Sequence, residues 1–87
     1  MKTEKIILKN ETGLHARPAS ELVKVASKFK SNVNFVIDGK QINAKSVLAL
    51  MAAGVKTNTE IEIICDGEDE EIALLEIIQK FNLLGEE

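Results

Sequence analysis

Tryptophan and tyrosine are absent from this 87-residue chain, and three phenylalanines make up its whole aromatic complement. The core must therefore be assembled from Ile, Leu, Val and Ala, and no rings are left over for stacking on nucleic-acid bases. Cysteine occurs once, as Cys65, so no disulfide can close within the chain and nothing requires an oxidising compartment. The apolar run around it predicts a buried structural thiol. Positive charge is in deficit: 11 Lys and Arg stand against 14 Asp and Glu, and the net charge of −3 excludes general, direct nucleic-acid binding. No apolar run approaches the roughly 20 residues of a membrane span. The opening stretch, MKTEKIILKN, lacks the apolar region and cleavage site of a signal peptide. These absences predict a cytoplasmic protein with no membrane insertion.

What is present suits a single domain over residues 1–87, because so short a chain cannot build two cores. Residues 4–9 read as a strand with Ile6 and Leu8 on one face, and residues 10–14 as a glycine-containing loop. Ala19, Leu22, Val23 and Ala26 mark a helix over 16–28. Val33, Phe35 and Ile37 alternate with Asn34 and Val36 as in a strand, Asp38–Gly39 signals a two-residue hairpin turn, and 40–43 is the return strand. Ser46 is placed to cap a short helix through Ala53 that Gly54 stops. Ile61 and Ile63 alternate with glutamates in a strand over 60–65. After a turn, Leu74, Ile77, Ile78 and Phe81 stripe a helix over 70–82, whose acidic start (Asp69, Glu70, Glu71) suits the positive end of a helix dipole. The order β-α-β-β-α-β-α with half-polar strands implies an α+β fold, an antiparallel sheet covered on one side by helices. Periodicity leaves the strand order open, with a ferredoxin-like split as the default.

The chemistry gathers in GLHARP, residues 13–18. His15, the only histidine, falls where loop becomes helix, and there the first amides have no helical acceptor. Those donors and the positive dipole end make an anion site. Arg17 adds a planar fork of donors suited to phosphate oxygens. Pro18 lacks an amide hydrogen in a turn where helical partners are missing anyway. A neutral imidazole is a nucleophile towards phosphorus, and a positive dipole end disfavours its protonated form. Phosphoryl transfer needs mainly alignment and electrostatic support, which one histidine with a few donors can supply. The plain alternatives are a solvated surface histidine or a weak cap. A metal site lacks further ligands, so no metal is expected, and a hydrolase triad lacks a marked serine.

GLHARPAS, followed by INAKSVLALMAAGVKTNTEIEI, resembles HPr, the histidine-containing phosphocarrier family of the bacterial phosphoenolpyruvate:sugar phosphotransferase system. The AKSVLALMAAG segment is similar to the regulatory-serine segment of the low-GC Gram-positive type. The resemblance implies an open-faced β-sandwich: a four-stranded antiparallel sheet in order 1-4-2-3 with three helices on one face, in place of the ferredoxin-like default. It implies a carrier and not an enzyme, needing no metal or organic cofactor, with His15 as phosphoacceptor, enzyme I as donor and IIA domains of sugar permeases as recipients. Arg17 becomes the phosphate-stabilising arginine. Ser46, besides capping its helix, becomes the target of HPr kinase/phosphorylase, linking the protein to carbon catabolite repression through a catabolite control transcription regulator.

On a helical wheel Val47, Leu48 and Met51 cluster while Leu50 and Ala53 lie to the other side. The resemblance makes Leu50 core and the other three a partner-binding patch, joined by Ala16, Pro18, Ser20 and Lys24. Lys56-Thr57-Asn58-Thr59 departs from relatives that carry glycine there, which Asn58 tolerates by accepting left-handed angles. Two other family classes remain: a regulator phosphorylated only on serine, which lacks the active histidine, and a nitrogen-type phosphocarrier, which the Ser46 segment disfavours. A free-standing metabolic enzyme would need a pocket-forming constellation. Oligomeric state is left open by the sequence, with a monomer as the plain default.

Overall fold

Val33, Phe35 and Ile37 on one strand, and Ile61, Ile63 and Cys65 on its neighbour, are withdrawn almost completely from solvent. A computed structural model, which describes residues 1–84, orders seven elements. They are β1 (Lys2–Ile7), α1 (Ala16–Ser27), β2 (Asn32–Ile37), β3 (Lys40–Asn43), α2 (Val47–Ala52), β4 (Glu60–Asp66) and α3 (Glu70–Leu84). The sheet is antiparallel in order β1-β4-β2-β3, with Phe35 opposite Ile63 and Val33 opposite Cys65. This is the order of the open-faced sandwich and displaces the ferredoxin-like default. Asp38 and Gly39 both adopt positive φ, 52° and 79°, as a type I′ turn requires.

The three helices lie on the face that carries those apolar side chains. Ala19, Leu22 and Ala26 of α1, Leu50 of α2, and Ala73, Ile77, Phe81 and Leu84 of α3 complete the core. Phe35 and Phe81 meet with ring centroids 5.4 Å apart and tilted by 55°, a geometry that aromatic quadrupoles favour. The stripe of α3 runs through Ala73 and Leu84, with Leu74 and Ile78 on its flanks, so the helix extends past Asn82. Strand β1 begins at Lys2 and ends at Ile7, earlier than the spacing suggests. Leu8 leaves the ladder, is buried, and bonds to the turn before β4: its amide donates to the Thr59 carbonyl at 2.9 Å, and the Asn58 amide donates to its carbonyl at 2.7 Å. Burial pushes the Cys65 thiol up to about 11, as an inert structural thiol requires. Among the described residues no helix is long and apolar enough to cross a membrane.

The acidic start of α3 does more than face a dipole. Asp69 accepts hydrogen bonds from the Lys30 amide at 2.8 Å, the Ser31 amide at 2.9 Å and the Ser31 hydroxyl, clamping α3 to the entrance of β2. These donors, the Ser31 hydroxyl foremost, hold its carboxyl down at about 2, below its ordinary 3.8. A depressed carboxylate pKa contributes stability above the unfolded value that is lost as pH falls through the folded one. Asp69→Asn should therefore lower Tm at neutral pH, and the gap to the parent should close between about pH 4 and pH 2. Thermal melts across that range check this; a gap that stays constant would reject the clamp.

Candidate functional site

The loop before α1 is built by Asn10 and Gly13. Asn10 is buried; its side-chain amide donates to the Gly13 carbonyl at 3.0 Å, and its backbone carbonyl accepts from the Gly13 amide at 3.1 Å. The Thr12 hydroxyl donates to Asn10 Oδ1 at 3.1 Å. Gly13 has φ +71°, and a Cβ there would sit 2.4 Å from the Val55 carbonyl oxygen, so only glycine fits. One residue on, the Leu14 amide donates to that same carbonyl at 3.0 Å, with the Leu14 side chain buried. The loop is thus stapled to the chain that leaves α2.

This staple delivers His15 to the N-cap of α1, with extended backbone (φ −82°, ψ −169°). Its carbonyl accepts from the Ala19 amide at 3.0 Å, while its imidazole makes no capping bond and is exposed. Ala16 and Arg17 follow, both exposed, and their amides precede the first helical acceptor. No acidic side chain occupies the first turn of α1. One turn on, the Lys80 ammonium bonds Glu21 at 2.7 Å and holds that carboxyl below its ordinary range, with the charges of Arg17 and Lys24 acting in the same sense. The exposed imidazole, the exposed Arg17 and the first amides of α1 thus fall within three successive residues of one helix start, an arrangement that suits an anion.

The other expected residues divide. Lys24 is exposed and Ser20 half-buried. Pro18 is fully buried and packs inside, so its side chain has no surface to offer a partner. The third position of α1 faces inward, next to Ala19, and this removes Pro18 from the expected patch. On α2, Leu50 is buried, whereas Leu48 is 81% and Met51 43% exposed. Val47 is half-buried against the core. Ser46 caps α2, its hydroxyl accepting from the Ala49 amide at 3.2 Å. It stands at the N-terminal end of α2, whereas Gly54 and Val55 follow its C-terminal end. Among the described residues, no group of three or more His, Cys, Asp or Glu side chains could hold a metal ion. The structural role of Asn10 and the bonds of Asp69 to Lys30 and Ser31 escape the sequence reading; an N-x-T-G stretch is the one local hint of the first, through its Asx-turn chemistry.

Residues 2–82 match the family described as PTS HPr component phosphorylation site. A phosphocarrier protein HPr of Mycoplasma capricolum is 49% identical over 73 residues, 84% of this chain and 82% of that protein. The HPr-like protein Crh of Bacillus subtilis is 46% identical over 74 residues, 85% of this chain and 87% of Crh. A crystal structure of HPr-C-His from Thermoanaerobacter tengcongensis superposes with a TM-score of 0.94 at 39% identity, covering 100% of this chain and 98% of that one. A Crh crystal structure, a dimer with a swapped domain, superposes at 0.76 with 40% identity and 97% of both chains. Dimers among such similar structures count against the default expectation of a monomer.

Proposed function

The chain belongs to the HPr family of phosphocarrier proteins of the phosphotransferase system, and from that premise we propose that His15 accepts a phosphoryl group from enzyme I and donates it to IIA domains of sugar permeases. The observation that carries this reading is the imidazole itself, exposed at the N-cap of α1 and uncommitted to capping. A ring nitrogen attacks phosphorus, forming a phosphorus–nitrogen bond as the bond to the donor breaks, and delivery to the next protein reverses the step. Arg17 and the first amides of α1 bear the charge of the transferred group. Ala16, Ser20 and Lys24 with Leu48 and Met51, and Val47 at the edge, form the docking surface, Lys24 meeting acidic partners at the rim. The setting is the cytoplasm. The test is incubation with enzyme I and phosphoenolpyruvate: an acid-labile label on His15 supports the reading, and a chain that takes up none overturns it.

Ser46 is the regulatory site of the same reading, phosphorylated by HPr kinase/phosphorylase and then recognised by the catabolite control regulator. Its support is the cap geometry, since a phosphate at a helix N-terminus meets favourable charge and leaves the helix folded. The kinase with ATP should place an acid-stable label on the parent and none on Ser46→Ala, a variant that loses about 1 kcal/mol of capping. A label that persists in the variant would move the site elsewhere. Similarity to Crh favours a second reading, regulation through serine without sugar-transport duty. The presence of His15 opposes it, and the enzyme I assay decides between the two.

A further inference from the structure

The loop carrying Gly13 and the chain leaving α2 press so closely together that a Cβ on Gly13 would stand 3.3 Å from the Lys56 Cα. Gly13 and His15 are at most about 7 Å apart along the chain. Lys56 therefore roots its side chain beside the acceptor loop. Its root is fixed: the Lys56 carbonyl accepts from the Thr59 amide at 3.3 Å, and the turn is closed by Asn58 at φ 68°. Its side chain is exposed, on a flexible four-carbon stem. Arg17 stands on the helix two residues after the histidine, whereas Lys56 stands on the adjoining loop. The acid on the same loop is Glu11.

We propose that Lys56 is a second cation of the phosphoryl site, stabilising the doubly charged group on His15 from the α2–β4 loop. The proposal rests on the reading of His15 as acceptor, yet its test stands apart from enzyme I. Potassium phosphoramidate loads imidazole chemically, releasing ammonia, and the full chain carries one histidine, so the phosphorylated protein can be made without any partner. Phosphorus NMR then follows the second ionisation of the phosphoryl group. At low salt Lys56→Gln should raise it by about 0.4 of a pH unit, the effect of a unit charge roughly 7 Å away in water. Lys56→Arg should keep the parent value, and the difference should fade near 1 M salt, where screening shortens to about 3 Å. Superimposable titrations of parent and Lys56→Gln at low salt would overturn the proposal. So would an arginine variant shifted as far as the glutamine one, which would reveal a structural role. Neither result touches the enzyme I label, which judges His15 separately.

Discussion

His15→Ala should abolish the acid-labile label that enzyme I and phosphoenolpyruvate place on the parent protein and leave Tm unchanged. Loss of the label follows from chemistry, since no other histidine exists in the chain. The unchanged Tm follows from structure. The imidazole makes no capping bond and is open to water, so the fold loses nothing when it is removed. The capping carbonyl that binds the Ala19 amide is backbone and survives the substitution. Arg17→Ala, in the same assay, should slow labelling by about tenfold to a hundredfold, the scale of a lost charge-assisted donor at a reacting centre. Labelling of His15→Ala at the parental level would end the carrier reading, and unaltered kinetics in Arg17→Ala would end the proposed role of that side chain.

Gly13→Ala should be costly for both stability and transfer, although residue 13 touches no phosphate. Alanine pays a conformational penalty at φ +71°, and its methyl would have to displace the Val55 carbonyl from 2.4 Å. Strain and overpacking together amount to about 3 kcal/mol or more, which in a domain of this size lowers Tm by about 10–20 °C. Because the Leu14 amide binds that same carbonyl, moving the carbonyl loosens the staple that delivers His15. Labelling at a temperature where the variant is still folded should therefore also be slower than in the parent. A variant that melts and labels like the parent would show that the staple positions nothing.

The alternation of Val33, Phe35 and Ile37 and the dipeptide Asp38–Gly39 made β2, β3 and their turn legible in the sequence, because strand pleat and turn angles are local properties. Ser46 was legible for the same reason, through capping, whereas the helical period only set Leu50 apart from Val47, Leu48 and Met51 and the resemblance made it core. The order of the strands was not a matter of local pattern and came from family resemblance. Pro18 was assigned to the partner patch with the resemblance, whereas the turn of α1 aims its side chain inward. The role of Asn10, the bonds of Asp69 to Lys30 and Ser31, and the contact of Gly13 with Val55 escaped because each involves backbone groups that packing brings close. The Asp69–Ser31 bond spans 38 positions, and no periodicity encodes such a meeting.

The bare N-cap position of His15 carries a further implication for how long a loaded molecule lasts. On the proposed reading, the side from which another protein would reach the ring is also the side from which water reaches it, because among the described residues the imidazole is exposed. A charge group parked there is on a clock. Such a messenger serves by meeting its recipient quickly, and its usefulness is set by the frequency of encounters more than by the firmness of its grip.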